Sequence, residues 1–295
     1  MAVAANPRPA ATVVVLRDAA DGPEVFLVRR HQDTAFMGGA HVFPGGRVDA
    51  ADHDGDEAWC DGVAAARVGS VRLKPDTTAS PVGSPDDSVA YHVAAARELF
   101  EEAGVLLART ANREFVSLAG AADHARFRDW RHQVHDGKTT LRAVVERERL
   151  RLALDVLVPF AHWVTPPIDT RQFDTRFFMT RIPPRQTPAH DETETTHSTW
   201  MRPTDAIRHA VAGEIVLPPP TWTTLREIEP FGSVGEALAW ARTRDIVRRM
   251  PRVLENGGRR MLVLPGDPLH PDAGGSHPPV ETRFVLVDRR WRAER

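Results

Sequence analysis

The chain has 295 residues, of which 42% are hydrophobic, and its formal net charge is −2. This length is sufficient to bury one large core, and the near-neutral charge provides no basic field for nucleic acid. Cys60 is the single cysteine, which excludes an internal disulfide framework and a cysteine metal cluster. The apolar run Ala10–Leu16 is too short for a signal core or a membrane span, and residues 291–295 are not a Ser-Lys-Leu-type address. We therefore expect a cytoplasmic protein without nucleic-acid or membrane partners.

The first part of the chain predicts three strands followed by a long helix. Thr12–Leu16 and Val25–Val28 are rich in β-branched and aliphatic residues, and turn-forming residues separate them. His41–Phe43 makes a third, short strand. A helix is expected at about Ser88–Ala103, with its N-cap at residues 86–88.

The second part alternates helical and strand patterns. Residues 112–152 are charged, alanine-rich and helical in pattern, with a break near Asp136–Gly137. The later predicted elements are strands at Val156–Val164 and Phe177–Ile182, helices at Thr204–Ala212 and Thr221–Ile228, a capped helix from Ser233 to about Met250, and strands at Met261–Leu264 and Arg283–Val287.

The most informative segment is Arg97–Val105, within the long predicted helix. Glu98, Glu101 and Glu102 stand at i, i+3 and i+4, so on a helix they share one face. Like charges this close repel one another unless a cation lies among them, whereas the apolar residues of the other face suit burial. The pattern predicts a hard-cation site on a rigid helix, and a solvated acidic face is the alternative. Gly104 stands where this helix would end in the left-handed conformation.

A glycine turn, Phe43-Pro44-Gly45-Gly46, precedes that helix. Proline fixes such a turn, and glycines let the backbone approach a ligand closely. Turn and acidic helix together resemble the signature of the Nudix hydrolases, G-x5-E-x7-R-E-U-x-E-E-x-G-U, where U is aliphatic. Mixed strands with the site-bearing helix between them suggest an α/β/α sandwich with a mixed sheet, which is the fold that this resemblance implies.

The signature is interrupted in this chain. Arg97 follows Gly46 by 51 positions, far more than in the family signature, and Asp52 stands where the signature has its first glutamate. The interrupting residues 53–88 are rich in proline, glycine, serine and aspartate, which predicts a loop that is mobile or peripheral. A split signature of this kind resembles the peroxisomal coenzyme A diphosphatase branch of the Nudix superfamily and its bacterial relatives.

These patterns predict a Nudix domain at residues 8–229, interrupted by the loop at about 53–88 and by a helical insertion at about 112–152. A C-terminal extension, residues 230–295, is expected to pack on it. For the insertion and the extension we favour simple packing or a dimer contact over a catalytic role, so a homodimer is one expected arrangement.

The resemblance implies a divalent-metal site, with Mg²⁺ or Mn²⁺ as cofactor, because cleaving a phosphoanhydride requires an activated water and charge neutralisation. By position in the signature, Glu98 and Glu102 are the strongest candidate ligands and Glu101 the next. A backbone carbonyl at Gly46 would complete the shell. Arg97 is expected to pair with one carboxylate and fix its rotamer, and a surface charge is the alternative.

One further carboxylate is expected as general base or extra ligand, and the family often supplies it from a later loop. The acidic segment Asp191–Glu194 is the candidate, with Glu192 or Glu194 in that role. A solvated acidic loop is an equally good interpretation.

The substrate contacts are expected around the glycine turn and from arginines. Arg29 and Arg30 end the second strand just before the turn, and Arg176 lies in a later strand that also resembles the coenzyme A branch. Guanidinium groups bind phosphate through two hydrogen bonds at once. Phe43 and Gly45 of the turn complete the candidate substrate-binding set.

The expected substrate is a small molecule linked to a nucleoside diphosphate. The resemblance implies hydrolysis of coenzyme A or acyl-coenzyme A at the diphosphate. The alternatives are a Nudix hydrolase for ADP-ribose, NADH or a nucleotide sugar, and a non-catalytic nucleotide-binding protein on the same fold. All three signature glutamates are present in the helix, which favours catalysis.

Overall fold

A computed structural model of the chain describes residues 7–32, 38–69, 85–167, 171–191, 194–272, 278–287 and 290–294. The α-helices in these ranges are Val63–Gly69 (α1), Pro85–Ala103 (α2), Ala121–His135 (α3), Leu141–Arg147 (α4), Pro203–Val211 (α5), Pro219–Ile228 (α6) and Val234–Thr243 (α7). The strands are Arg8–Ala19 (β1), Gly22–Arg30 (β2), His41–Val42 (β3), Gly45–Arg47 (β4), Cys60–Asp61 (β5), Ala108–Arg109 (β6), Arg151–Ala153 (β7), Val158–Val164 (β8), Phe173–Arg181 (β9), Thr195–Met201 (β10), Arg248–Arg249 (β11), Arg252–Asn256 (β12), Arg259–Val263 (β13), Arg283–Val287 (β14) and Arg290–Glu294 (β15). None of the described helices is long and apolar enough to cross a membrane.

The central sheet has eight strands of mixed direction. Its order is β10-β2-β1-β9-β8-β11, with β3 paired to β2 and β4 paired to β1. The β1–β9 and β8–β11 pairs are parallel and the others antiparallel. In β1, Val13 and Val15 enter one core cluster while Val14 and Leu16 enter the other. This burial on both faces explains why the strand is continuously aliphatic and does not alternate with polar residues.

Helices cover both faces of this sheet. Helices α1 to α4 contribute side chains to the cluster that contains Val13, and α5 to α7 to the cluster that contains Val14. The predicted α/β/α sandwich with a mixed sheet is therefore confirmed. The helices α3 and α4 lie in the predicted helical insertion, with the break between them at Asp136–Gly137 as expected.

The C-terminal strands form a separate antiparallel sheet of order β12-β13-β14-β15. Its register places Val253 opposite Leu262, Leu262 opposite Phe284, and Leu286 opposite Trp291. Paired residues lie on the same face of a sheet, so these side chains form one apolar surface. Leu262 and Phe284 join the core cluster that also contains Trp222 and Leu225 of α6.

The prediction of a loop over residues 53–88 is wrong for the part that the structure describes. A 3₁₀ helix at Ala50–Asp54 is followed by β5 and α1. Trp59 and Val63 are each about 2% exposed and belong to the core. The apolar residues of this segment are few and unevenly spaced, so they give no clear helix or strand pattern beside the turn-rich composition downstream. Residues 70–84 lie outside the described residues.

Several elements also differ from prediction. Helix α2 begins at Pro85, before the expected N-cap, because proline is well suited to the first helical turn. The helix that begins after the Ser233 cap ends at Thr243, not near Met250. Strand β10 was not predicted, because its mostly polar residues give no apolar alternation.

We expect Trp59→Ala to lower the free energy of unfolding by about 3–5 kcal/mol, because a buried indole leaves a cavity on removal. Urea denaturation measures this loss. Val68→Ala, in the same segment at a position that is 65% exposed, is the control and should stay within about 0.5 kcal/mol of the parent protein. A loss of the same small size at Trp59 would contradict its place in the core.

Candidate active site

Helix α2 is the scaffold of the candidate site. Its buried side chains include Val93, Leu99 and Ala103, which pack in the core against β1. The helix ends at Ala103, and Gly104 follows with φ +65° while its N–H donates to the carbonyl of Phe100 at 3.0 Å. The left-handed glycine end is therefore confirmed. Burial of the apolar side fixes the direction in which the carboxylates of this helix point.

The glycine turn lies directly against those carboxylates. The Gly45 N–H donates to Glu102 Oε2 at 2.9 Å. A Cβ built on Gly46 would lie 2.4 Å from Glu98 Oε1, and one on Gly45 would lie 2.3 Å from the carbonyl oxygen of Ala11. Real Cβ atoms do not approach other atoms so closely, so both positions require glycine for close contact.

Arg97 is buried and holds several acidic groups. Its Nε and Nη2 donate to the two oxygens of Asp52 at 3.0 and 3.1 Å, and its Nη1 donates to Glu101 Oε1 at 2.8 Å. Nη1 also lies 3.0 Å from Glu98 Oε1. Nη2 further donates to the backbone carbonyl of Arg47 at 2.7 Å. Arg97 is thus a positioning residue that ties the helix to the turn, which is the pairing role predicted for it.

Asp52 belongs to this cluster, although the candidate site set lacked it. It is 1% exposed, and besides Arg97 it accepts the Asp49 N–H at 2.8 Å. Asp52 stands at the first glutamate position of the signature, and this position was the available signal. A shorter carboxylate serves there because the 3₁₀ helix brings it to the guanidinium.

The charges of this site are unbalanced. Burial raises the pKa of Glu98 to about 7, against the opposing effect of Arg97. Burial and the neighbouring Glu98 also raise the pKa of Glu102 well above its ordinary value, although the Gly45 N–H bond acts the other way. For Arg97, burial favours the neutral form, but the carboxylates of Glu98 and Asp52 outweigh it and raise its pKa. One more positive charge would stabilise Glu98 and Glu102 as ionised carboxylates.

The donor set fits a divalent cation. The Glu102 carboxylate is buried and the Glu98 side chain is 13% exposed, and both face a turn whose glycines leave no side chain in the way. Among the described residues, no group of three or more His, Cys, Asp or Glu side chains is placed to hold a metal ion. The pair would therefore need backbone or water oxygens as further ligands, and Mg²⁺ commonly keeps several waters. Glu101 is bonded to Arg97, and its other oxygen lies 3.7 Å from His135 Nδ1, so its role as a metal ligand stays a prediction.

A cavity of about 480 Å³ opens at the same turn. Gly45, Gly46, Phe43 and Arg30, all predicted for the site, line it. The remaining lining side chains are mostly apolar and come from β8, β9, the start of α6 and the C-terminal sheet, including Trp163, Phe173, Phe177, Pro218, Pro219, Leu262, Leu286 and Trp291. Arg171 and Arg260 are the further cationic residues of the lining. Its size is typical of a small-molecule site.

Glu194 and Arg30 lie at the edge of the carboxylate pair. Both act electrostatically on Glu102, with Glu194 raising its pKa and Arg30 lowering it. The pairing of Thr195 with Arg30 between β10 and β2 explains why they meet at this edge. Glu194 is exposed, and its role as general base stays a prediction. Glu192, the other candidate, lies outside the described residues.

Two predicted phosphate contacts do not line the cavity. Arg29 lies opposite His41 in β3, where its charge adds to burial in lowering the pKa of that histidine to about 4. Arg176 lies over the ring of Tyr91 at 5.3 Å, and its Nε is 3.6 Å from Asp174 Oδ1. Successive side chains point to opposite faces of a strand. The cavity is therefore lined by Arg30, next to Arg29, and by Thr175 and Phe177, which flank Arg176.

This fold and this site, a glycine turn packed on an Arg-Glu-x-x-Glu-Glu helix, define the class of the Nudix hydrolases. The family model described as NUDT19 Nudix domain matches residues 2–228, and the chain belongs to this family. It is thus an enzyme, a Nudix hydrolase of the diphosphatase type.

Individual relatives agree with this assignment. The acyl-coenzyme A diphosphatase NUDT19 of Homo sapiens is 31% identical over 282 residues, which cover 85% of this chain and 73% of that protein. Its counterpart in Gallus gallus is 29% identical, with 84% and 73% covered. The crystal structure of a NUDIX hydrolase from Alicyclobacillus acidocaldarius superimposes with a TM-score of 0.62 at 27% identity, covering 79% of this chain and 96% of that one.

We expect Gly46→Ala to lower turnover by about a hundredfold or more, because the new methyl group displaces the Glu98 carboxylate and small misplacements at a reacting centre are costly. Steady-state kinetics and a thermal melt measure activity and folding together. Gly235→Ala, whose Cβ would meet only Ser233 Oγ at 3.8 Å, is the matched control and should keep full activity. Normal turnover in the folded Gly46 variant would show that the close approach does not matter for catalysis.

Proposed function

We propose that this chain hydrolyses the diphosphate of coenzyme A or acyl-coenzyme A in a reaction that requires a divalent metal ion. The observation that carries the proposal is the glycine turn, which touches Glu98 and Glu102 and also lines the cavity. A substrate in the cavity would therefore present its diphosphate to the carboxylates. The relatives named acyl-coenzyme A diphosphatase support the choice of substrate.

Glu98, Glu102 and a backbone oxygen of Gly46 would hold the Mg²⁺ or Mn²⁺ ion. When bound there, the ion supplies an activated water and neutralises charge on the phosphoryl oxygens. Arg97 keeps the Glu98 carboxylate oriented for this task, since it bonds the same helix to the turn.

The remaining steps fall to side chains at the cavity edge. We assign to the Glu194 carboxylate the acceptance of the proton from the attacking water, since Glu194 is exposed and acts on Glu102. Arg30, in the cavity lining, donates to the phosphate oxygens. Water adds to one phosphorus, the bridging oxygen leaves with the other phosphoryl group, and the products are 3′,5′-ADP and 4′-phosphopantetheine or its acylated form.

The 3′-phosphate of coenzyme A adds a third phosphate group to be bound. Arg171 is an exposed residue of the cavity lining outside the C-terminal sheet, and a planar guanidinium group suits such a phosphate. ADP-ribose, NADH and nucleotide sugars lack this group at that position, so they are the informative competitors. The cytoplasmic location and the homodimer stay predictions from the sequence.

Glu98→Gln and Glu102→Gln should each lower turnover by orders of magnitude while the fold persists, because the amide supplies neither the charge nor the geometry for the metal. Turnover with Mg²⁺, with Mn²⁺ and after chelation, together with circular dichroism, measures the effect. Glu146→Gln, in an exposed ion pair with Arg142, is the control and should behave as the parent protein does. Near-normal turnover in either folded active-site variant would remove these glutamates from the metal site.

Dephospho-coenzyme A, which lacks only the 3′-phosphate, should be a poorer substrate than coenzyme A. Loss of one charge-assisted contact costs roughly 1.5–3 kcal/mol, or about ten- to a hundredfold in kcat/KM. Chromatographic separation of the cleavage products of both compounds and of ADP-ribose measures this preference. Equal rates for the first two, or a faster reaction with ADP-ribose, would overturn the coenzyme A assignment and leave the Nudix assignment in place.

A further inference from the structure

The C-terminal sheet lies beyond residues 2–228, which the family model matches, yet it forms one wall of the active-site cavity. Its contributions to the lining are Pro251, Val253, Arg260, Leu262, Leu286 and Trp291. Five of these six side chains are apolar. A segment expected only to pack on the domain thus reaches the space beside the glycine turn.

The wall is built by strand register. Val253 pairs with Leu262, and Leu286 pairs with Trp291, so each pair lies on one face of the sheet. Leu262 is buried, whereas Val253, Leu286 and Trp291 are only half-buried. Part of the sheet's apolar face therefore anchors it to the core, and part remains uncovered in the cavity.

We infer that this wall selects the substrate by receiving its apolar end, the acyl chain carried on the pantetheine arm, while the glycine turn holds the diphosphate. The inference rests on the proposed function for the identity of the substrate. An adenine ring presents hydrogen-bonding edges and would need polar partners, whereas an acyl chain needs only apolar area removed from water. The wall supplies apolar area with a single guanidinium, Arg260.

A series of acyl-coenzyme A substrates of increasing chain length tests this inference. Each added methylene gains up to about fourfold in kcat/KM until the cavity is filled. Trp291→Ala and Leu286→Ser should flatten this dependence, with a loss of about tenfold or more for octanoyl-coenzyme A and less than about threefold for free coenzyme A. Two variants are used so that the chain-length dependence can still be measured in one of them if the other folds poorly.

Val287→Ser is the matched control. Val287 is the neighbour of Leu286 in β14, is 37% exposed and is not part of the cavity lining. Because successive side chains point to opposite faces of a strand, this variant should keep the parent chain-length dependence.

Calorimetric binding of octanoyl-coenzyme A and coenzyme A to metal-free protein separates this inference from the proposed function. If coenzyme A compounds are hydrolysed without any effect of chain length, the wall does not select the acyl chain. The same conclusion follows if Trp291→Ala lowers the affinity for both ligands equally. Either result contradicts this inference but leaves the proposed function in place. Chain-length-dependent binding without hydrolysis overturns the proposed function alone. If the protein shows neither hydrolysis nor chain-length-dependent binding, the proposed function and this inference are both wrong.

Discussion

The Arg97 guanidinium lies among acidic side chains that would otherwise repel one another inside the protein. It bonds Asp52 and Glu101, contacts Glu98, and also holds the carbonyl of Arg47 beside the glycine turn. Removing one partner of such a buried cluster costs about 3–5 kcal/mol, because a charge is left without compensation. The position of the turn over the helix, and hence the shape of the candidate metal site and of the mouth of the cavity, depends on the Arg97 guanidinium.

The same contact explains how the signature tolerates an interruption. Asp52 and Arg97 are 45 positions apart in the chain, yet their side chains form a bidentate pair. Lengthening a loop raises the entropic cost of closing it only slowly. The packing of α1 and Trp59 into the core offsets that cost. The inserted segment therefore leaves the catalytic geometry intact while it adds buried surface beside helix α2.

The parts predictable from sequence are those whose cause is local. The helix carrying Glu98 and Glu102, its end at Gly104 and the need for Gly45 and Gly46 follow from spacing and residue type. The role of the C-terminal sheet could not be predicted in this way. Strand pairing joins residues that are distant in the chain, and the apolar pattern of a strand does not indicate what its apolar face covers. Arg176 could not be placed either, since one position along a strand decides which face a side chain takes.

The two parts of the site, the glycine turn with helix α2 and the C-terminal wall of the cavity, are expected to have different effects on the reaction. In the proposed reaction, the turn and helix α2 would contact the phosphorus, where charge develops, so changes there should act on turnover. The inferred wall would contact parts of the substrate that do not react, and its binding energy would be equal in the ground and transition states unless it is used to position the diphosphate. Substitutions at Leu286 or Trp291 that change only KM would therefore identify uniform binding, whereas a parallel fall in kcat would show that the wall aligns the diphosphate against Glu98 and Glu102.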